Sequence, residues 1–396
     1  MKMKRYYFDY AAATPVAPEV EKSMQPYFGK IYGNPGALHW FGQEASAEVF
    51  KSRDAIAKSL GCNYREIIFT GSATEANNLA LRGVVKVALS FRTKTAEPFL
   101  PKIIVSSIEH DSVLDTVRDL EKEGVEVVYL PVSKNGIVDL KKLKEKLDER
   151  TVLVSVMYAN NEVGTIQPIK EISKLIQQFK EERKSFYPLF HTDAVQAFNY
   201  LDCNVNKLGV DLLALSAQKI YGPKGIGALY TRNRQRATKI LHPIITGGGQ
   251  EYGFRSGTEN VPGIVGFGKA AELADKLRQK ENKRLKNLQD YFLARMEKMF
   301  PKAQLNGGGK NRLPNNINMY FPQQPAQDLI IKLDLAGFAV SPGAACSART
   351  CKPSHVLKAM GFSDERATSS IRITFGRPTT KNEVDKLLKV ICRVKK

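Results

Sequence analysis

The chain has 396 residues, of which 43% are hydrophobic and 25% charged, ordinary values for a globular protein. This length predicts two domains, or one large domain with a smaller one attached. No apolar run is long enough to cross a bilayer and no apolar segment follows the basic N-terminus, so we expect neither a membrane segment nor a signal peptide. A cytoplasmic protein is therefore expected.

The net charge is +20, from 60 Lys and Arg against 40 Asp and Glu. Such an excess of positive charge is compatible with a polyanionic partner such as nucleic acid. The basic residues are spread along the chain, however, without an aromatic-interleaved cluster. A solvated basic surface is thus the preferred interpretation, and nucleic acid is not expected as a partner.

The cysteine pattern limits the possible chemistry. An odd number of cysteines without a CxxC pair argues against a disulfide framework and against a zinc site of closely paired cysteines, so no metal is expected. In a reducing compartment they would be free thiols, most of them inert. The five are Cys62, Cys203, Cys346, Cys351 and Cys392.

From about residue 64 to residue 230, short β-rich runs alternate with helical patterns. This alternation predicts an α/β fold with a mainly parallel sheet covered on both faces, and ligands then bind beyond the carboxyl ends of the strands. The predicted helices are Ser112–Glu123, Leu140–Asp148 and Ile169–Lys180. The predicted strands are Ile67–Phe69, Ile103–Ser106, Val125–Tyr129, Val152–Val156, Leu189–His191, Leu212–Leu215 and Ala228–Tyr230.

A long helix is predicted over about Val261–Met299, with a possible cap at Thr258 or Asn260. A glycine-rich loop and a smaller α+β pattern follow it. We therefore predict a large domain over residues 16–260 and a small domain over residues 1–15 and 261–396, with the site in the cleft between them. The elements predicted in the small domain are Asn316–Tyr320, Asp328–Ala336, Phe338–Ser341, Ser354–Met360, Ser370–Phe375 and Asn382–Val394.

The segment from Ser216 to Gly227 follows a predicted buried strand and contains three glycines and one proline. It predicts a tight connection into the next strand, which places Lys219 on the ligand side of the sheet. Taken alone, a lysine in such a loop is most often a surface residue, and Lys224 nearby is interpreted in that way.

Two other segments end predicted strands in the same region. Asp193 follows Leu189–His191, and its carboxylate could keep a pyridine nitrogen protonated or could simply cap a helix. The segment from Thr70 to Asn78 places small and hydroxyl residues at a helix N-terminus. Such a turn can bind an anion or serve as an ordinary capping turn.

Together these segments resemble the aminotransferase class V family, and more specifically the cysteine desulfurases of the NifS/IscS type. The resemblance covers essentially the whole chain, from Tyr7–Ala12 to the last helix. It implies a fold-type I enzyme that uses pyridoxal 5'-phosphate (PLP), works as a homodimer and takes sulfur from L-cysteine. Its motifs are Gly33-Asn34-Pro35, Ile108-Glu109-His110, Asn160-Asn161-Glu162-Val163-Gly164-Thr165, Gly247-Gly248-Gly249-Gln250-Glu251 and Arg255-Ser256-Gly257-Thr258-Glu259-Asn260.

The resemblance implies a role for each matching residue at the cofactor. Lys219 matches the lysine that binds PLP as a Schiff base, Asp193 the partner of the pyridine nitrogen, and His110 the residue stacked on the ring. Gln218 stands where the family usually has His, and it can still donate a hydrogen bond to phosphate. The other expected cofactor contacts are the phosphate cradle of Ala73, Thr74 and Ser216, the phenolate contacts Asn161 and Gln196, and Thr258, which completes the neighbouring subunit's site.

Two residues match the groups that bind the substrate carboxylate in the family, Asn34 and Arg372. Arginine suits this task because its planar guanidinium binds a carboxylate through two parallel hydrogen bonds. The alternative for Arg372 is a surface ion pair.

Cys346 lies in a run of small residues, Val340–Ser347, which would leave its sulfur exposed. It matches the cysteine that receives the substrate sulfur as a persulfide, while alanine is released. In this hypothesis Lys219 moves the α-proton and His110 assists proton transfer. The sulfur would pass to an acceptor such as an iron–sulfur scaffold or a thiolation protein. Cys351 is either inert, a second sulfur carrier or part of a regulatory disulfide.

Other functions remain open at this point. A selenocysteine lyase or a plain class V aminotransferase would share the fold, although an aminotransferase needs no thiol at Cys346. A non-catalytic scaffold or nucleic-acid-associated protein would account for the net charge of +20. The chain stops soon after its last predicted helix, without the extension that the IscS branch uses to dock its scaffold, so we expect greater similarity to NifS.

Overall fold

The computed structural model describes residues 4–92, 100–232, 239–343 and 353–394. A seven-stranded sheet crosses the molecule, and most of its strands are predominantly apolar and buried on both faces, as in sheets covered by helices. In spatial order its strands are β2 (Ile67–Thr70), β8 (Gly227–Thr231), β7 (Leu212–Ser216), β6 (Leu189–Asp193), β5 (Thr151–Ser155), β3 (Lys102–Ser106) and β4 (Glu126–Leu130).

The predicted mainly parallel sheet is confirmed, with one exception. The pairs β7–β6, β6–β5, β5–β3 and β3–β4 are parallel, whereas β8 runs antiparallel to both of its neighbours. Alternate residues of a strand point to opposite faces. Ile103 and Val105 accordingly pack into one apolar core and Ile104 into the other.

Helices pack on both faces of this sheet, and those predicted from periodicity are confirmed to within one or two residues at each end. The bounds of the long helix, Val261–Met299, agree with the prediction, and this helix packs along the helix Trp40–Leu60. Asn260 caps it by accepting a hydrogen bond from the Gly263 amide. These helices are α1 (Pro18–Met24), α2 (Trp40–Leu60), α3 (Ala73–Arg92), α4 (Asp111–Lys122), α5 (Leu140–Lys146), α6 (Ile169–Glu182), α7 (Val205–Leu208) and α8 (Val261–Met299).

The C-terminal part forms a second, antiparallel sheet. Its strand order is β12 (Ser341–Pro342), β13 (Ser370–Thr374), β10 (Asn316–Tyr320) and β9 (Gln304–Leu305). The helices of this part are α9 (Ala326–Leu335), α10 (His355–Ala359), α11 (Asp364–Thr368) and α12 (Lys381–Val394).

The prediction of one continuous strand over Phe338–Ser341 is wrong. Phe338–Ala339 (β11) pairs in parallel with β1 (Tyr6–Tyr7), whereas Ser341–Pro342 pairs with β13. The chain changes sheets at Val340, because the residues on either side of it have different partners.

The N-terminal segment connects the two-stranded β1–β11 sheet and the four-stranded sheet of the C-terminal part to the large sheet. The Phe8 amide donates to the Ala339 carbonyl and the Phe8 carbonyl accepts from the Thr374 amide, each at 2.8 Å. Beyond this contact the chain reaches Ala11, whose carbonyl accepts hydrogen bonds from side chains at the carboxyl end of the large sheet. The segment thus becomes a wall of the site described next. Among the helices of the described ranges, none is both long and apolar enough to cross a membrane.

Candidate active site

A cavity of about 230 Å³ lies where β6 and β7 end and where α3 begins. Parallel sheets bind ligands at this edge. Many of the predicted site residues meet there, although they are far apart in sequence. Those that line the cavity are Ala73, Thr74, His110, Asn161, Asp193, Gln196, Ser216, Gln218, Lys219 and Arg372.

A larger groove of about 800 Å³ runs along α6 and past Arg232. Its lining includes Leu189, the first residue of β6, so it lies at the opposite edge of the sheet from Asp193. The smaller cavity is therefore the candidate active site, because position on the sheet and side-chain chemistry agree there.

Asp193 is the last residue of β6 and is 5% exposed. Its Oδ1 accepts a hydrogen bond from the Val195 amide and its Oδ2 accepts one from Asn77 Nδ2, both at 2.9 Å. No helix follows directly, so helix capping does not account for this carboxylate. Two residues earlier, burial lowers the pKa of His191 to about 4, and its Nδ1 lies 2.9 Å from Ser155 Oγ.

His110 directly precedes α4 and caps it. Its Nδ1 accepts a hydrogen bond from the Ser112 amide at 3.0 Å and lies 2.9 Å from Ser112 Oγ. The imidazole ring is therefore held at the N-terminus of α4, where it lines the cavity. At the preceding residue, burial raises the pKa of the Glu109 carboxyl to about 8.

The turn before α3 has the properties of a phosphate cradle. The first amides of a helix have no partner within the helix, and the helix dipole makes this end attractive to anions. Thr70 Oγ1 donates to the Ser72 carbonyl at 2.8 Å, and the Gly71 amide donates to Glu75 Oε2 at 2.8 Å, so the turn is held firmly. A Cβ atom at Gly227 would lie 2.6 Å from the Ser72 carbonyl carbon, so only glycine lets β8 back the turn this closely.

Lys219 closes a short 3-10 turn, Ala217–Lys219, after β7. Its Nζ donates to the Ala11 carbonyl at 3.0 Å and to the Ala12 carbonyl. Gln196 Nε2 donates to the same Ala11 carbonyl at 2.9 Å. The N-terminal segment thus holds the amine at the wall of the cavity.

Arg372, in β13, is a buried cation whose side chain is 1% exposed. Its Nη2 donates to Asp9 Oδ1 at 2.8 Å and its Nη1 to the Asn161 carbonyl at 3.0 Å. Its Nε has no hydrogen-bond partner among the described residues. Arg372 therefore forms a buried ion pair that faces the cavity, and the alternative of a surface ion pair is wrong.

The residues of this cavity fit PLP. A helix N-terminus suits the phosphate, a buried carboxylate suits the pyridine nitrogen, and a lysine amine suits covalent attachment to the aldehyde. The fit rests on Ala73, Asp193 and Lys219, which all line one cavity.

Two predicted residues lie outside this cavity. Asn34 is exposed, and its Oδ1 accepts a hydrogen bond from the Gly36 amide at 2.9 Å. Thr258 is also exposed and lines a separate cavity of about 240 Å³ that includes Gly71, next to the phosphate cradle. Cys346 and Cys351 fall outside the described residues.

Sequence reasoning missed two residues that organise the site, Asn77 and Asp9. Asn77 lies one helical turn after Ala73, so it shares the helix face that meets the cavity, and this spacing is a signal that could have found it. Asp9 lies inside the Tyr7–Ala12 motif, but nothing local indicates that it pairs with Arg372.

Comparison with known proteins gives concordant results. The aminotransferase class-V profile matches residues 6–387. A cysteine desulfurase IscS of Dictyoglomus turgidum is 47% identical over 393 residues, covering 99% of this chain and 95% of that protein. The solved structure of a NifS-like protein has a TM-score of 0.89 and 37% identity, covering 99% of both chains. The structure titled "SspA in complex with cysteine" has a TM-score of 0.76 and 36% identity, covering 93% of this chain and 98% of that one.

These matches extend over nearly the whole chain and agree with the chemistry of the cavity. The chain belongs to the aminotransferase class-V family, as a fold-type I, PLP-dependent enzyme of the cysteine desulfurase group.

Proposed function

We propose that this enzyme converts L-cysteine to L-alanine and receives the sulfur on Cys346 as a persulfide, which it then passes to an acceptor protein. One observation carries the proposal: a single cavity joins the amine of Lys219, the carboxylate of Asp193, the imidazole of His110 and the guanidinium of Arg372. The relatives named cysteine desulfurases support the choice of substrate.

When bound, PLP supplies an electron sink that stabilises negative charge at the substrate's α-carbon. Lys219 would hold it covalently, Asp193 would pair with its pyridine nitrogen and His110 would stack on its ring. Each of these residues lines the cavity. The remaining contacts are assigned to Ala73, Thr74, Ser216 and Gln218 at the phosphate and to Asn161 and Gln196 at the phenolate oxygen.

Arg372 is assigned to the substrate carboxylate, together with Asn34. Its guanidinium is held from two sides by Asp9 and the Asn161 carbonyl, so little conformational freedom remains to be lost when a carboxylate binds. Proton transfer at the α-carbon is assigned to Lys219 Nζ, which the Ala11 and Ala12 carbonyls keep at the cavity wall.

In the sulfur-transfer step, the Cys346 thiolate attacks the substrate sulfur. A sulfur–sulfur bond forms and the carbon–sulfur bond breaks. The electron pair of that bond stays on the carbon fragment, which takes up a proton and leaves as alanine, with His110 placed to assist. Cys62 and Cys203 do not suit this role, because burial raises the pKa of each thiol to about 12.

The domain division at residues 16–260 and at residues 1–15 with 261–396 is also proposed. It is supported by the strand pairing, since the seven strands of the large sheet lie between Ile67 and Thr231 and β1 pairs with β11 of the C-terminal part. A homodimer is proposed because Thr258, next to the cradle but outside the cavity, is then available to complete the neighbouring phosphate site.

We further propose a reducing, cytoplasmic location, which keeps the sulfur-carrying thiol reduced. The proposed acceptor is an iron–sulfur scaffold or a thiolation protein.

The test is to incubate the purified enzyme with L-cysteine and to measure the mass of the peptide that contains Cys346. We expect a gain of one sulfur atom on Cys346, and loss of sulfide release in Cys346→Ser with the cofactor absorbance retained. Cys351→Ser is the matched control and should keep its activity. Full turnover in Cys346→Ser would contradict the proposal.

The same reaction mixtures separate the alternatives. Alanine and sulfide are the expected products from cysteine. A keto acid without sulfide would instead indicate an aminotransferase, and turnover of selenocysteine but not cysteine would indicate a lyase specific for selenium. A protein that stays colourless after PLP is added would indicate a non-catalytic role.

A further inference from the structure

Asn77 connects the Asp193 carboxylate with Ser112, the residue that holds His110. It lies in α3, and its side chain is fully buried. Its Nδ2 donates to Asp193 Oδ2 and to Ser112 Oγ, both at 2.9 Å. A carboxamide has two N–H donors, so both are used, one for each partner.

The contact with Ser112 extends to His110. The Ser112 amide donates to His110 Nδ1 at 3.0 Å, so Nδ1 carries the lone pair and the proton of the neutral ring lies on Nε2. Ser112 Oγ lies 2.9 Å from the same nitrogen. This oxygen accepts a hydrogen from Asn77, and since Nδ1 is an acceptor, the hydroxyl's own hydrogen is the second donor to Nδ1 beside the Ser112 amide.

The orientation of the Asn77 amide is determined by its surroundings. If the amide turned over, Oδ1 would face the Asp193 carboxylate, and two acceptors without a hydrogen would meet. In the observed orientation Oδ1 has no hydrogen-bond partner among the described residues. The fold therefore leaves one acceptor unsatisfied and keeps both donors on Asp193 and Ser112.

We propose that Asn77 is a positioning residue that acts through Asp193 and His110. Its amide holds the Asp193 carboxylate in place and orients the Ser112 hydroxyl, which donates to the same His110 Nδ1 that accepts from the Ser112 amide. The inference rests on the proposed function, which assigns Asp193 to the pyridine nitrogen and His110 to the ring of PLP. One side chain then sets the state of both groups together.

The first test uses the apoenzyme labelled with ¹⁵N-histidine. The chain has five histidines, and the signal lost in His110→Gln identifies His110. The wild type should show a protonated Nε2 and an unprotonated Nδ1. Asn77→Ala should keep this tautomer, because the Ser112 amide still donates to Nδ1, and should shift the Nδ1 resonance, because the Ser112 hydroxyl loses the donor that fixes its direction.

Asn77→Asp separates this role from a packing role, because it keeps the shape of the side chain but removes both donors. It also places a second carboxylate beside Asp193, which makes the pair bind a proton more readily. In the holoenzyme we expect the pH profile of the cofactor absorbance to shift with Asn77→Asp. Asn78→Ala is the control and should leave both readouts as in the wild type, because the Asn78 amide accepts from Arg82 Nε and donates to the Thr74 carbonyl within α3.

The ¹⁵N measurement needs neither cofactor nor turnover. A changed Nδ1 resonance in Asn77→Ala, together with a wild type that does not desulfurate cysteine, would refute the proposed function and leave this inference standing. Wild-type ¹⁵N patterns and wild-type pH profiles in both Asn77 variants would overturn it, even if the variants melt at a lower temperature.

Discussion

Arg372 Nη2 donates to Asp9 Oδ1 at 2.8 Å across a sequence separation of 363 residues. The side chains of the two residues are 1% and 18% exposed, so both charges are largely removed from water. The pair ties the N-terminal segment, which contacts Lys219, to the strand that provides the proposed substrate-binding arginine. A wall of the site therefore depends on both ends of the chain.

Removing Asp9 should destabilise the protein, because it leaves the buried Arg372 cation without its counterion. We expect Asp9→Asn to lower the free energy of unfolding by about 3 kcal/mol. Urea denaturation measures this change. The control is Glu149→Gln, which breaks an exposed pair with Arg183 and should cost less than about 1 kcal/mol. Equal losses in the two variants would contradict the expectation.

Arg372→Lys should weaken cysteine binding more than it lowers the stability of the folded protein. Lysine keeps the charge but cannot bind a carboxylate through two parallel hydrogen bonds. We expect the KM for cysteine to rise about tenfold, equivalent to about 1.4 kcal/mol, with the cofactor absorbance unchanged. Steady-state kinetics over a range of cysteine concentrations provide the test. An unchanged KM would show that the carboxylate binds elsewhere.

His191 should make the protein less stable in mild acid. Burial lowers its pKa to about 4, so between pH 6.5 and pH 4 the unfolded chain binds a proton that the folded chain does not. Stability is therefore lost as the pH falls through this window. Between pH 7 and pH 5 the unfolding free energy of the wild type should fall by about 2 kcal/mol more than that of His191→Gln. Parallel denaturation curves at the two pH values would show this difference, and a constant difference would refute it.

The strands of the large sheet could be predicted because each is a short, apolar run that ends in turn residues. Helix α2 was not predicted, although it has 21 residues. Its buried face contains small residues together with Ser52 and Arg53, so the apolar periodicity is weak. Arg53 is buried because Glu251 binds it through two contacts of 2.6 Å from 198 residues away, a contact that no local pattern encodes.

The site could be predicted to the extent that its residues lie in recognisable motifs, as Lys219, Asp193 and His110 do. Asn77 lies within the segment from Thr70 to Asn78, but its importance comes from reaching Asp193, 116 residues further along the chain. The antiparallel direction of β8 was likewise not predicted, since a short apolar run has no direction until its neighbours are known. Both features are determined by tertiary contacts and not by residue type, so sequence patterns do not predict them.

Glu109 should show the opposite pH dependence from His191. Burial raises its pKa to about 8, and Oε1 accepts hydrogen bonds from Ser106 Oγ and the Met157 amide. Between pH 4.5 and pH 8 the folded chain holds a proton that the unfolded chain has released. The stability due to this group is present below pH 4.5 and is lost as the pH rises toward 8.

Glu109→Gln keeps the shape of the side chain and cannot ionise, so it removes this dependence. From pH 5 to pH 8 its unfolding free energy should increase relative to the wild type by a few kcal/mol, since one pKa unit corresponds to about 1.4 kcal/mol. Urea denaturation at pH 5, 6.5 and 8 gives the slope. If the difference between the two proteins is the same at all three pH values, the carboxyl group ionises in the folded protein as readily as in the unfolded chain, and its burial next to His110 has no electrostatic consequence.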